Sequence, residues 1–166
     1  MLAVVGLSGG GSHVCQQLAH SGIGTMILVD DDVVDETNRG PVVGTRHDDD
    51  DRLKTDFMER LIHGIDPDST VVNVPHRTSH PDALAAVASP DVIVACLDCL
   101  DARAEVNSVA RRYLIPLIDV GMTLESDGEQ LASATGKSSS RSQVPPACAA
   151  PRSCPTRRSP ASAAWV

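Results

Sequence analysis

Apolar residues in this chain alternate between short unbroken runs and stretches where they recur every three or four positions. Runs of the first kind read as buried strands and stretches of the second kind as helices with one covered face. Residues 2–6 (LAVVG) form the first run. A helix is predicted from Gly11 or Ser12 to about Ser21, with Val14, Leu18 and Ala19 on one side and Gly22 and Gly24 ending it. TMILVD (25–30) is the second strand, followed by a polar loop holding Asp31, Asp32, Asn38 and Arg39. RLKTDFMERLIHGIDP (52–67) has a helical stripe of Leu53, Phe57, Leu61 and Ile62, stopped by Gly64 and Pro67. A strand at 70–76, a short helix at 81–88, a strongly apolar strand at 91–98, a helix at 102–112 and a strand at 115–122 follow. TLESDGEQLASATG (123–136) begins a further strand. Strands alternating with helices predict an α/β fold: a Rossmann-like, doubly wound, mainly parallel sheet with helices on both faces.

Composition supports that layout. Apolar residues make up 42% of the 166, but only three residues are aromatic. The core is therefore Val, Leu, Ile and Ala, which suits a parallel sheet covered on both sides. No apolar run approaches the ~20 residues a membrane-spanning helix needs, so no membrane partner is expected and the predicted location is cytoplasmic. Five cysteines at 15, 96, 99, 148 and 154 form no evident disulfide framework for such a location. Cys96 and Cys99 have C-x-x-C spacing but no second pair in zinc register, and they read as strand-end thiols.

The charge is unevenly placed. Residues 1–137 carry all 22 acidic groups and a net charge of −12, whereas 138–166 carry four arginines and no acid. An acidic body argues against non-specific nucleic-acid binding and is compatible with a local, Mg²⁺-served nucleotide site. The aspartate run 48–51 reads as a solvated face or a helix start. From residue 138 the sequence lacks Leu and Ile and is rich in Ser, Pro, Ala and Arg. Two readings stand for 138–166: a disordered tail, or a stretch translated out of frame. Permitted codons in a shifted frame yield a peptide with a Pro-Gly turn, a C-x-x-C and a charged helical segment. The coding DNA decides between them. The expected domain is thus 1–137.

Chemistry concentrates in residues 3–30. A buried strand, a glycine-rich turn, a helix and a second strand ending in Asp30 make a mononucleotide-binding βαβ unit. Glycines let backbone N–H groups approach a polyphosphate, and the helix N-terminus offers it unpaired donors. The glycine loop alone does not choose the nucleotide.

The ordered set VVGLSGGGSHVCQQLAHSGIGTMILVDDDVVDETN, Lys54, VACLDCLDARAEVN and IPLIDVGM resembles the ThiF/MoeB family of adenylation domains, over residues 3–136. The resemblance implies an enzyme that uses ATP and Mg²⁺ to adenylate the C-terminal carboxylate of a ubiquitin-like or sulfur-carrier protein, commonly as a homodimer. By that resemblance Gly6, Gly9 and Gly11 match the phosphate-loop glycines, with Ser8 where the family has a further glycine. Asp30 falls on the ribose-binding acid and Asp32 on the second acid of a D-x-D pair. Asn38 matches the asparagine near the phosphates, Lys54 the polyphosphate lysine, and Asp98 the aspartate near Mg²⁺ and the α-phosphate. Arg103 and Asn107 continue the motif.

The chain also departs from the pattern. Where the family has an arginine three residues after the asparagine, this chain has Pro41, and the nearby Arg39 is out of register. The family's zinc-binding C-x-x-C pairs lie beyond residue 136, so a zinc site is expected of the family but not encoded here. Structural readings compete at each position: glycines that only permit a tight turn, solvated acids at 30 and 32, a surface Lys54, a turn-forming Asn38, and Asp98 as a helix cap. Histidines 13, 20 and 63 have no evident partners and read as surface or packing residues. At the level of function, a dinucleotide-binding oxidoreductase or non-catalytic nucleotide module is the alternative, as is an incomplete chain with weak turnover.

Overall fold

The computed structural model describes residues 1–36, 40–127 and 130–140. Strand β1 (Leu2–Val5) is central because its residues are apolar on both faces. It pairs in parallel with β2 (Thr25–Val29) and with β4 (Val92–Ala95), setting Val4 opposite Leu28 and Val94. Strand β3 (Thr70–Val74) flanks β2, and β5 (Leu117–Asp127) flanks β4, both in parallel. Strand β6 (Gln130–Ser140) turns back antiparallel on β5, giving the order β3-β2-β1-β4-β5-β6. The predicted doubly wound, mainly parallel sheet is therefore what forms. The further strand expected from residue 123 is divided between the long end of β5 and the hairpin partner β6.

Side chains alternate across the sheet, and each face recruits its own helices. Val4, Met26 and Leu28 pack with Cys15 and Ala19 of α1 (Gly9–His20) and with Phe57, Met58 and Ile62 of α2 (Lys54–Ile65). Ala3, Val5, Ile27, Val29, Ile93 and Ala95 pack with Ala83 and Val87 of α3 (Pro81–Val87) and Val106 and Ala110 of α4 (Leu100–Tyr113). The helix stripes read from the sequence face the core: Ala19, Phe57 and Ile62 are buried, and Val14, Leu18 and Leu61 pack half-buried against the same cluster. The helix starts differ: α1 begins at Gly9 and α4 at Leu100, each about two residues earlier than periodicity places it.

The aspartate run departs from the solvated reading at one member. Asp49, in the 3₁₀ turn His47–Asp49, is fully buried. Arg60 of α2 grips it at both oxygens, with Nη1–Oδ1 at 2.6 Å and Nη2 donating to Oδ2 at 2.7 Å, and the Arg46 amide donates to it at 2.9 Å. The Arg60 hydrogen bond holds the Asp49 carboxyl below its usual range, against the opposing effect of burial. A depressed folded-state pKa contributes stability that is present above the unfolded value of about 4 and is lost as pH falls through the folded value. Arg60→Ala is expected to cost about 2 kcal/mol near neutral pH, because it leaves buried Asp49 with only the more distant Arg52, 3.9 Å away, as a cation, with some discount for the partly exposed guanidinium. Its stability, measured by urea unfolding from pH 3 to 7, is expected to fall less steeply into acid than that of the parent chain. Parallel profiles would contradict this.

Candidate functional site

The carboxyl ends of β1, β2 and β4 converge at the point where the strand order reverses, the usual ligand crevice of an open α/β sheet. Beyond Val5 the chain enters Gly6 at φ +88°, a conformation that side chains rarely adopt. A Cβ on Gly6 would lie 2.6 Å from the Cys96 carbonyl oxygen, and one on Gly11 would lie 1.8 Å from the Gly6 carbonyl oxygen. These two glycines let strand, turn and helix close against one another. Gly9 and Gly10 are different: a Cβ at Gly9 would touch Pro41 at an ordinary 3.4 Å, and one at Gly10 would meet nothing within 4 Å. They leave the start of α1 open on its outer side. That start carries no acidic residue in its first turn and no side-chain cap, so its amides are available to an anion.

Ser8 occupies the N-cap position at φ −72°, which a serine adopts freely in place of glycine. Its hydroxyl does not cap the helix but accepts a hydrogen bond from Lys54 Nζ at 2.8 Å. Lys54 also donates to Asp32 Oδ2 at 2.8 Å and lies 4.0 Å from Asp30 Oδ1. The side chain is 1% exposed, so the surface-lysine reading is excluded. The start of α2 brings it there: the Lys54 amide donates to the Asp32 carbonyl at 2.9 Å, and an isolated bridge joins Val33 to Leu53.

Asp30 holds the same turn from the β2 side. Its Oδ2 accepts from the Leu7 amide at 2.6 Å and its Oδ1 from the Asp32 amide at 2.9 Å. Burial pushes its carboxyl above the usual range, with Lys54 and the two amides pulling the other way. Each carboxylate oxygen can accept more than one hydrogen bond, so these contacts leave acceptor capacity for a ribose hydroxyl. Asp32 is 60% exposed and Lys54 is its cation.

Asp98 stands on the loop after β4, exposed, and forms no hydrogen bond or ion pair with a described residue. The N-cap position of α4 is Cys99, so the capping reading of Asp98 does not hold. Asn38 and Arg39 lie outside the described residues. Pro41, in the place of the family arginine, rests against Gly9 at the glycine turn.

Arg103 reaches across to Asp119 of β5, its Nε donating to Oδ2 at 3.1 Å. It covers Gly121, whose missing Cβ would fall 2.8 Å from Nη1. Nothing in the sequence links positions 103 and 119, and only the β4–β5 register brings them together. Burial raises the Cys96 thiol to about 11, so it is protonated at neutral pH and no activated nucleophile. Cys15 is buried and shifted upward as well, and Cys99, expected to be a thiol, is disulfide-bonded.

The sequence matches the ThiF family over residues 1–160. It is 32% identical over 126 residues to the adenylyltransferase and sulfurtransferase UBA4 of Meyerozyma guilliermondii, covering 76% of this chain and 30% of that protein. It is 34% identical over 117 residues to the SAMP-activating enzyme E1 of Haloferax volcanii, covering 70% of this chain and 43% of the relative. Among solved structures, E. coli MccB crystallised with ATP superposes with a TM-score of 0.68 at 28% identity, covering 74% of this chain and 37% of that one. The chain thus spans less than half the length of these relatives. With the glycine turn, the buried lysine and the acid-ended second strand of one continuous site all falling inside the matched stretch, the chain belongs to the ThiF family.

Proposed function

We propose that this chain is the nucleotide-binding part of an ATP-dependent adenylyltransferase that activates the C-terminal carboxylate of a ubiquitin-like or sulfur-carrier protein. The observation that carries this reading is Lys54, a buried ammonium docked on the glycine turn. A dinucleotide half-site has no need of a cation there. Relatives named as adenylyltransferases and a structural neighbour solved with ATP support it.

The chemistry is positioning and charge compensation. The amides at the start of α1 and the Lys54 ammonium face the polyphosphate. Asp30 accepts from the ribose hydroxyls, and Asp32 holds Lys54 until phosphate oxygens take its place. Asn38 and Arg39 supply further polar contacts to the phosphates. A protein carboxylate is already ionised near neutral pH, so it attacks the α-phosphorus directly and pyrophosphate leaves without a general base. The exposed carboxylate of Asp98, unpaired among the described residues, suits Mg²⁺, a hard cation that keeps several waters and takes oxygen ligands. When bound, Mg²⁺ neutralises developing charge on the phosphates. Dimerisation, a cytoplasmic location, and a domain ending near residue 137 belong to the same reading.

Isothermal calorimetry tests the proposal. ATP with Mg²⁺ is expected to bind and NAD is not; NAD binding in preference would restore the oxidoreductase alternative. Asp98→Asn is expected to weaken Mg²⁺-ATP at least about tenfold while leaving the melting temperature unchanged, because the exposed side chain has no hydrogen bond or ion pair with a described residue. Unaltered affinity in that variant would remove Asp98 from the site.

A further inference from the structure

Two groups of described side chains bring three metal-binding atoms within 4.8 Å of one another. Asp30, Asp31 and Asp32 form one, and it belongs to the nucleotide site. The other is His76, His80 and Asp82, at the β3–α3 connection, which the adenylation chemistry does not use. We propose that these three residues bind a divalent transition-metal ion of the Zn²⁺ type.

The donor set is two imidazoles and a carboxylate, the combination that borderline ions prefer. The His76 and His80 rings are stacked, with centroids 4.1 Å apart and planes 18° from parallel. Asp82 Oδ2 faces both, 3.8 Å from His76 Nε2 and 3.7 Å from His80 Nδ1. Ligand atoms around a tetrahedral zinc ion stand roughly 3.3–3.5 Å apart; the carboxylate is within about half an ångström of that spacing, and the two stacked rings must rotate out of parallel for their in-plane nitrogen lone pairs to meet at one ion. All three side chains are partly exposed and free to make that adjustment. His80 Nδ1 now accepts a long 3.2 Å bond from the Asp82 amide. The ion would take that lone pair, and the exposed amide would turn to water.

The backbone that carries these residues is already fixed. Pro75 and Pro81 bracket the segment. Arg77 pairs with Asp31 at 2.8 Å, buried Thr78 donates to Glu105 of α4, and the His80 amide donates to the Arg77 carbonyl at 2.9 Å. A segment ordered in advance loses little entropy when a ligand arrives. The cluster opens onto a concavity of about 410 Å³ that Asp31 and Arg77 also line. That leaves the fourth coordination position to water or to an incoming oxygen donor.

Zinc chloride titrated calorimetrically into the EDTA-treated full chain is expected to show one ion bound in the micromolar range. His76→Gln and His80→Gln are each expected to lower that affinity at least about tenfold, since even outer-shell partners of a metal are worth that much. Free thiols, Cys15 and Cys96 among the described residues, are the rival ligands, and Co²⁺ distinguishes them: the proposed site gives ligand-field bands without a thiolate charge-transfer band. Thermal melting of the variants checks their fold. Absence of binding up to millimolar zinc overturns the proposal. So does zinc binding that survives in both histidine variants, or a thiolate band in the cobalt derivative.

Discussion

Gly11→Ala is expected to cost the fold about 3 kcal/mol or more and to abolish ATP binding. The new methyl group would stand 1.8 Å from the Gly6 carbonyl oxygen. No rotamer relieves a clash between Cβ and backbone, so α1 must shift away from the turn. Overpacking in a closed region typically costs about 1–3 kcal/mol, and this contact is far inside van der Waals distance with backbone on both sides. Displacing α1 also separates its N-terminal amides from the turn, which removes the anion site along with the stability. Gly10→Ala is the internal control. Its Cβ would meet nothing within 4 Å, and alanine in a helix is worth about 0.5–1 kcal/mol over glycine. Urea unfolding is expected to rank Gly10→Ala at or above the parent and Gly11→Ala far below. Equal midpoints would show that the helix start is not sterically determined.

The second large effect is at Lys54. Lys54→Met keeps the buried aliphatic stem and removes the ammonium. ATP affinity measured by calorimetry is expected to fall about ten- to a hundredfold, the scale of one hydrogen bond to a charged group, about 1.5–3 kcal/mol. Lys54→Arg is not expected to rescue it, because a planar guanidinium needs room that a 1% exposed site does not have. Stability is expected to fall by about 1–2 kcal/mol, discounted because Asp32 is largely exposed. The deficit has a pH signature through Asp30. Burial raises this carboxyl in the folded state and Lys54 opposes the rise. Such a group favours the fold below its unfolded value of about 4 and loses that contribution as pH rises through the folded value. Without Lys54 the rise is larger, so the variant's deficit is smallest near pH 4 and widens toward neutrality. ATP affinity within twofold of the parent would sink the role assigned to Lys54.

The sheet was legible because the central strands β1, β2 and β4 are unbroken apolar runs and each helix a stripe, and both patterns depend on local spacing alone. Val4 and Val5 point to opposite faces, and each face found the helices whose stripes match it. Long polar side chains were less legible. Lys54 reads equally well as a surface residue, because sequence does not record that α2 starts beside the glycine turn. Asp49 looked solvated within its acidic run, and only the packing of α2 brings Arg60 over it. At Asp30 the acid at a strand end reads as a ribose ligand, whereas its grip on the Leu7 amide, 23 positions earlier, depends on the neighbouring strand. The pairing of Arg103 with Asp119 depends likewise on strand register.

The close contact between Gly6 and Cys96 has a consequence for how the chain acquires its site. Cys96 donates its amide to the Val5 carbonyl at 2.8 Å and sets its own carbonyl against Gly6. The glycine turn is thus walled by a residue ninety positions further along the sequence. Contacts of such long sequence separation close late, after the local helices and the adjacent β1–β2 pair. During synthesis, the first eighty or so residues would emerge with the phosphate-loop sequence complete but its far wall missing. Nucleotide affinity would then arrive in one step, when β4 inserts beside β1, and it would report on folding as directly as any spectroscopic probe.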